Sequence, residues 1–293
     1  MVNNNQQASW QDLPVRIVSA VIIVPVALIC IVWGEWYYIG MISIISIVMV
    51  YEWENLFKIS YKNFKGCLFL FWPVIAYCAA LEGMWTQSLY IILGFAFIFG
   101  PQLWLGSAII GGAGLSLLWL RFMTGFQTWM IIWIVSVVIA SDSCAYLVGK
   151  LVGGPKLIPS VSPGKTWSGA IGGLIGAGCI GACIIGYLNQ GIGHSYLIGC
   201  ILSVLIGIMA QIGDLLESKL KRILGVKDSG KIIPGHGGVL DRCDALLTVS
   251  ILVALLTFFL PSEIEGVKWN GGSLANNQLI FNIKPNIPLY LFK

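Results

Sequence analysis

The sequence predicts an all-α polytopic integral membrane protein, with about nine transmembrane helices and polar loops at one membrane face. Apolar residues make up 57% of the chain and charged residues only 10%, whereas a soluble domain carries about 25% charged residues. Apolar runs long enough to cross a bilayer recur along most of the chain. Lipid offers the backbone no hydrogen-bond partners, so these runs must be helices. The short alternating segments of a membrane barrel do not occur in the sequence.

The nine apolar runs divide the chain into a polar N-terminal segment (1–15), one transmembrane domain (16–260) and a C-terminal tail without a motif (261–293). We expect spans at about 16–34, 37–52, 67–82, 88–101, 103–120, 127–149, 168–188, 196–213 and 244–260. The seventh span carries glycine at helical spacing, which predicts a closely packed central helix and offers a packing face for a homodimer.

The distribution of lysine and arginine predicts the orientation of these spans. Basic residues concentrate in the loops that follow the second, sixth and eighth spans, and the opposite loops hold almost none. Because cytoplasmic loops are enriched in basic residues, we expect the N-terminus and all three basic loops on the cytoplasmic side. The tail then lies on the other side. Arg121 is the one exception to this pattern.

Other features of the composition exclude several classes of protein. The net charge of +4 is too small to indicate nucleic-acid binding. The eight cysteines lie mostly inside apolar runs and include no Cys-x-x-Cys pair, so we expect buried thiols and neither zinc nor disulfides. The first 14 residues lack the basic region of a signal peptide, which predicts that the first apolar run is retained.

Charged residues cluster between the eighth and ninth spans. The chain has 17 basic and 13 acidic residues, and eleven of these fall between Asp214 and Asp244. Asp214, Glu217 and Ser218 share one face of a helix, since they stand at i, i+3 and i+4. Asp241 and Asp244 are also three residues apart. A solvated loop that obeys the positive-inside rule would explain the lysines, but not these two acids at the edge of a span.

This cluster has the residue types that phosphoryl or nucleotidyl transfer needs. Mg²⁺ is commonly held by one or two carboxylates together with substrate phosphates, and lysine and arginine bind phosphate oxygens. Residues 234–238 read Pro-Gly-His-Gly-Gly, which cannot form regular helix. Such a loop lets backbone N–H groups approach an anion.

A second polar stretch follows the sixth span. Asp142 lies near the end of that span, and an acid at membrane depth is a functional candidate by default. Beyond it, residues 162–169 read Ser-Pro-Gly-Lys-Thr-Trp-Ser-Gly. Only the Gly-Lys-Thr matches a nucleotide-binding P-loop, because the upstream glycine is missing and no strand is predicted before it. A hydroxyl–lysine group that opens a helix can still bind phosphate.

Together these two stretches resemble the phosphatidate cytidylyltransferases, the CDP-diacylglycerol synthases. The signature runs over 27 residues with fixed spacing: Ser218, Lys219, Lys221, Arg222, Lys227, Asp228, Gly230, Pro234, His236, Gly237, Gly238, Asp241, Arg242 and Asp244. The upstream stretch, from Asp142 to Thr166, and the span layout over about 15–260 resemble the family as well. Two positions depart from the family pattern: Ser168 stands where the family has an acid, and Cys243 where a larger apolar residue is usual.

The resemblance implies a reaction in which CTP and phosphatidate give CDP-diacylglycerol and pyrophosphate at a bilayer surface, in a bacterial cytoplasmic membrane. It implies Mg²⁺ bound by Asp214, Asp241 and Asp244, alone or with a second cation. The remaining roles are carried by phosphate-neutralising residues (Lys221, Arg222, Lys227 and Arg242), by substrate contacts from the upstream loop (Ser162, Lys165 and Thr166), and by Ser218.

Three residues keep two interpretations each. His236 either donates a proton to the leaving group or orders its loop. Asp228 either orients a lysine or binds the second cation. Asp142 either reaches the metal cluster or accepts a hydrogen bond between helices.

Four other functions compete with this one. A CDP-alcohol phosphatidyltransferase needs a glycine where Ala245 stands. A CTP-dependent lipid-alcohol kinase would share the nucleotide and the cation but release CDP. A transporter would carry its charges near the bilayer midplane, whereas here they lie at span ends. An inactive scaffold would have lost an aspartate or Lys227, and all are present.

Overall fold

The computed structural model describes residues 13–60, 62–235, 237–261, 263–264 and 266–269. Its helices are α1 (Leu13–Trp33), α2 (Glu35–Leu56), α3 (Phe64–Leu70), α4 (Trp72–Leu81), α5 (Trp85–Leu89), α6 (Pro101–Gly106), α7 (Gly112–Phe122), α8 (Thr128–Val152), α9 (Trp167–Leu188), α10 (Ser195–Ile223) and α11 (Leu240–Phe259). Two small antiparallel hairpins complete it, β1 (Lys156–Ile158) with β2 (Ser162–Thr166) and β3 (Glu263–Ile264) with β4 (Val267–Lys268).

The predicted fold class is confirmed. Within the described residues, seven helices are long and apolar enough to cross a membrane, counting α3 with α4 and α6 with α7 as continuous segments. Two shorter apolar segments, Val21–Trp33 and Trp85–Phe99, lie where the first and fourth spans were expected. The chain is therefore an integral membrane protein built from helices.

The fourth and fifth spans are divided at Gly100, whose φ of 98° no other residue adopts easily, and Pro101 then opens the next helix. Before this break, Tyr90–Gly94 forms a π turn, which frees backbone carbonyls inside the membrane. Three side chains satisfy them: the Trp72 indole donates to the Ile91 carbonyl, the Ser107 hydroxyl to that of Ile92, and the Trp104 indole to that of Leu93. Irregular backbone is tolerated at this depth because it is paired in this way.

The glycine-rich helix α9 lies between α8 and α10. A Cβ at Gly172 would come within 2.6 Å of Val148 on α8, and one at Gly199 on α10 would meet the Gly181 carbonyl at 2.7 Å. The backbones of the three helices therefore approach too closely for side chains at these positions. This glycine face is used inside the chain, so the packing face on which the homodimer prediction rested is internal.

Successive helices place their ends at alternating faces of the bundle. At one face the end of α2 meets the start of α11, through hydrogen bonds from the Val239 and Leu240 amides to Glu52. At the opposite face the first residues of the tail contact the end of α9, since Asn189 exchanges hydrogen bonds with Lys268. The alternation matches the predicted topology, with the tail opposite the basic loops.

The boundaries of the elements at the charged face differ from expectation. Helix α10 runs to Ile223, ten residues past the expected end of its span, and α11 begins at Leu240, four residues earlier than expected. The residues from Asp214 to Arg222 are therefore helical. The stretch that ends at Thr166 is a β-hairpin, which the sequence pattern did not predict.

Candidate active site

The upstream polar stretch is held against α10 by an ion pair. Strand β2 carries Lys165, whose Nζ lies 2.5 Å from the Asp214 Oδ2. The Asp214 Oδ1 accepts a hydrogen bond of 3.3 Å from the Ser218 hydroxyl, one helical turn further along α10. Each oxygen of Asp214 therefore has a donor, and the two polar stretches that the sequence singled out meet at this residue.

Thr166 fixes the start of α9 beside this ion pair. Its Oγ1 accepts the Gly169 amide at 3.1 Å, as an N-cap residue does. Ser168, which stands where an acid was expected, donates its hydroxyl to the Gly153 carbonyl at the base of the hairpin. In this chain the hairpin therefore directs a lysine, and no carboxylate of its own, toward α10.

A cavity of about 630 Å³ opens between the hairpin, α8, α9 and α10. Asp142, Lys165, Thr166 and Asp214 all line it. Asp142 is close enough to interact electrostatically with both Asp214 and Lys165. The structure thus places Asp142 at the cavity, where it can act on a bound cation or phosphate. Ser162, at the other end of β2, is not among the residues that line this cavity.

Asp241 binds several groups of the signature loop, which is the segment 224–239 between α10 and α11. Its Oδ1 lies 2.7 Å from the Lys221 Nζ, and its two oxygens accept the Ser229 amide at 3.1 and 3.0 Å. The Gly238 amide donates to Oδ2 at 2.9 Å. Lys221 also bonds Glu217 at 2.9 Å. Asp241 is therefore engaged by three protein groups, and it ties α10 to both arms of the loop.

Asp214, Glu217 and Asp244 form an acidic cluster where α10 packs against α11. Gly213 allows this approach, since a Cβ there would come within 3.1 Å of the Asp244 carbonyl. Asp244 interacts electrostatically with Asp214 and Glu217. The Glu217 Oε1 is buried and accepts no hydrogen bond from the described residues. Adjacent carboxylates repel one another, so this cluster favours a cation.

The residues of the acidic cluster fit Mg²⁺ by their chemistry. Within the described residues, no three acidic, histidine or cysteine side chains already form a metal-binding group. Mg²⁺ does not require one, because one or two carboxylates with substrate phosphates and water usually hold it. Asp214 and Asp244 supply such carboxylates, and Glu217 is a third hard donor beside Asp244.

The other predicted residues lie on or near the loop between α10 and α11. Four of them are exposed to solvent: Arg222, Lys227, Asp228 and Arg242. Their side chains are open to solvent at the charged end of α10 and α11, where a nucleotide or a lipid phosphate can reach them. His236 falls outside the described residues.

Sequence reasoning missed Glu52. This residue ends the second span, is 1% exposed, and accepts the Val239 amide at 3.0 Å, the Leu240 amide at 2.8 Å and the Ser229 hydroxyl at 3.4 Å. The available signal was an acid at the end of an apolar run, which the cost of burying charge makes a candidate. Its partners lie more than 170 residues away, so spacing could not reveal them.

Comparison with known proteins places the chain in a family. The model of the cytidylyltransferase family matches residues 14–260. A protein from Brucella suis named phosphatidate cytidylyltransferase is 34% identical over 259 residues, which cover 83% of this chain and 93% of the relative. A protein of the same name from Rickettsia felis is 30% identical over 254 residues, which cover 85% of this chain and 92% of the relative. Another from Helicobacter pylori is 47% identical over 131 residues, which cover 44% of this chain and 47% of the relative. The chain belongs to the cytidylyltransferase family.

Proposed function

We propose that this enzyme transfers the cytidylyl group of CTP to phosphatidate. A phosphate oxygen of the lipid forms a bond to the α-phosphorus of CTP. The bond from that phosphorus to the bridging oxygen breaks, and pyrophosphate leaves with the electron pair. The products are CDP-diacylglycerol and pyrophosphate. The family match and the names of the relatives support this reaction.

One observation supports the proposal most directly: two lysines are held by carboxylates at a single face of a membrane-embedded bundle. Lys165 is paired with Asp214, and Lys221 with Glu217 and Asp241. The Lys165–Asp214 pair joins the hairpin to α10, and the Lys221–Asp241 pair joins α10 to α11. Ammonium groups held in this way are oriented before substrate arrives, so little reorganisation is needed when phosphates bind.

The chemistry needs charge compensation more than proton transfer. The lipid phosphate is already ionised near neutral pH, and therefore no strong general base is required. Two anions must approach each other, and negative charge develops on the leaving pyrophosphate. Lys165 and Lys221 then contact phosphate oxygens, while the exposed Arg222, Lys227 and Arg242 neutralise the remaining charge.

Mg²⁺ would be held by Asp214 and Asp244, with Asp241 and a second cation as further members of the site. When bound, it polarises phosphate oxygens and offsets their charge. Two more acids of the proposed site are Asp142, at the wall of the cavity, and Asp228, on the loop between α10 and α11.

The cavity suits the lipid substrate. It is lined by Tyr146, Lys150 and Lys156 in addition to Lys165. Tyr146 and the neighbouring Leu147 and Leu151 are exposed on α8, where acyl chains would surround them. We infer that the phosphatidate headgroup enters here from the bilayer. From the positive-inside pattern we infer that this face is cytoplasmic, and the bacterial relatives favour a bacterial inner membrane.

The proposal is tested by product analysis with purified protein in detergent. We expect CTP, phosphatidate and Mg²⁺ to yield pyrophosphate and CDP-diacylglycerol, with no product after EDTA treatment or in Asp244→Asn. Glu82→Gln, an exposed acid in the loop after α4 at the opposite face, is the matched control and should keep wild-type activity. Release of CDP in place of pyrophosphate would identify a CTP-dependent kinase and overturn the proposal.

A further inference from the structure

A buried carboxylate on α2, outside both signature stretches, holds the signature loop in place. Glu52 accepts two backbone amides at the start of α11, through Oε1 for Val239 and Oε2 for Leu240. The first amides of a helix have no partner within the helix, and the helix dipole favours a negative charge there. Glu52 thus supplies from another helix the cap that α11 lacks, since Val239 makes no side-chain cap bond.

The glycines of the signature loop make room for this carboxylate. A Cβ on Gly230 would have three nearest neighbours, all of them atoms of Glu52, at 2.5, 2.9 and 3.0 Å. A Cβ on Gly238 would meet the Glu52 oxygens at 2.8 and 2.9 Å and also the Ser229 hydroxyl. Both glycines therefore lie against Glu52 too closely for any side chain.

Glu52 and Asp241 both accept hydrogen bonds from the signature loop. The Ser229 hydroxyl donates a hydrogen bond to Glu52, and the Ser229 amide donates one to Asp241. Gly238 gives its amide to Asp241, and the next two amides go to Glu52. Asp241 and Asp244 lie in the first turns of α11, so the position of that helix start sets where both carboxylates point.

We propose that Glu52 is a positioning residue for the reaction: it fixes the start of α11 so that Asp241 and Asp244 face Asp214 and Glu217. This inference rests on the proposed function. Glu52 itself contacts no substrate. It acts through the loop backbone, and the requirement for glycine at positions 230 and 238 follows from its location.

The first test compares Glu52→Gln with Glu54→Gln. Glu54 lies on the same helix, is 0% exposed, and neither of its oxygens has a hydrogen-bond partner among the described residues. In Glu52→Gln one acceptor oxygen is replaced by an NH₂ group, which is a donor and cannot accept a hydrogen bond from a loop amide. We expect kcat to fall about 100-fold, as a small misplacement of reacting groups does, with a higher Mg²⁺ requirement. Glu54→Gln should match the wild type.

The second test uses a double-mutant cycle. Gly230→Ala should lower activity by displacing Glu52, and Glu52→Ala should do so by removing it. Because the three atoms nearest to the added methyl group all belong to Glu52, Gly230→Ala should cost little more in the Glu52→Ala background. Fully additive losses would overturn the inference.

Hydrogen–deuterium exchange of residues 229–242 provides a readout that does not depend on the reaction. Exchange should rise in Glu52→Gln and stay unchanged in Glu54→Gln. Unchanged exchange in Glu52→Gln would contradict a positioning role. The role would also be contradicted if Glu52→Gln lost folded protein while the fraction that remained folded kept the wild-type Mg²⁺ requirement. If the wild-type protein makes no CDP-diacylglycerol while the exchange result holds, the proposed function fails and the loop anchor stands.

Discussion

At the scale of single residues, the site consists of charges that compensate one another across elements. Lys221 is more enclosed than Lys165: 12% of its side chain is exposed between Glu217 and Asp241, against 27% for Lys165. Removing one partner of a buried ion pair leaves the other charge uncompensated, which costs more than the pair itself contributes. The lysine therefore holds two acids in place.

Lys221→Met tests this arrangement. We expect the variant to lose activity and to be destabilised by about 3 kcal/mol, because Asp241 and Glu217 lose their common cation. The measurement is the thermal unfolding midpoint in detergent together with the rate of pyrophosphate release. Lys62→Met, an exposed lysine in the loop after α2 and outside both signature stretches, is the control and should change neither. Equal behaviour of the two variants would show that burial of Lys221 is not important.

The sequence singled out the candidate residues of this site but not the partners with which the structure pairs them. The acids at positions 214, 241 and 244 stood out because charges are rare in the chain. The pairing of Lys165 with Asp214, and of Glu52 with the signature loop, joins residues about 50 and more than 170 positions apart. Tertiary packing alone brings such groups together, and spacing along one helix or loop carries no signal of it.

At the scale of elements, the start of α9 links the hairpin to the glycine-rich helix. Thr166 ends strand β2, is 6% exposed and caps α9. Gly149 on α8 faces its hydroxyl, where a Cβ would come within 3.0 Å of the Thr166 Oγ1. The position of Lys165 therefore depends on the cap beside it.

Thr166→Ala should lower stability by about 1 kcal/mol, the usual cost of losing a side-chain cap. It should also reduce activity, since Lys165 shifts with the strand. Thr166→Ser keeps the hydroxyl and should retain most of both properties. Thermal unfolding and initial rates measure the two effects, and an equal loss in the serine variant would refute the capping role.

The glycines of α9 give a second prediction at this scale. Gly172→Ala should destabilise the protein by about 1–3 kcal/mol, because the new methyl group overlaps Val148 on α8. Gly40→Ala, in α2, has no atom within 4 Å of the new methyl group and should be neutral. Unfolding midpoints of the two variants decide the matter: if Gly172→Ala is as stable as Gly40→Ala, the helices are not closely packed there.

Element boundaries were predicted less well than elements. Hydropathy marks where a helix leaves the apolar region, not where its hydrogen bonding ends. Helix α10 continues to Ile223 because Glu217 and Lys221 pair at i, i+4 on its polar end. The hairpin at 156–166 escaped prediction since its strands are short and contain a proline and a glycine.

At the scale of the whole molecule, chain direction brings the two signature stretches to one face. Helices α2, α8 and α10 end there, and α9 and α11 begin there. The alternating direction of successive spans therefore puts the candidate site residues that the structure describes on one side. The basic loops lie on the same side, which predicts that it is cytoplasmic.

Cysteine labelling tests this orientation. Lys227→Cys should react with a membrane-impermeant thiol reagent in inverted membrane vesicles and not in right-side-out vesicles. Gln190→Cys, in the loop after α9, should show the reverse. The labelling of the wild-type chain is subtracted, since it has eight cysteines of its own. The same sidedness for both positions would contradict the topology.

Cytidylyl transfer is tested most directly by following the α-phosphorus of CTP. The purified protein is given phosphatidate, Mg²⁺ and CTP labelled at either the α or the γ position, and the label is partitioned between the lipid and water. We predict that the α label enters the lipid phase in step with pyrophosphate release, and that the γ label stays in water. Transfer of the γ label to the lipid, with CDP as product, would contradict cytidylyl transfer.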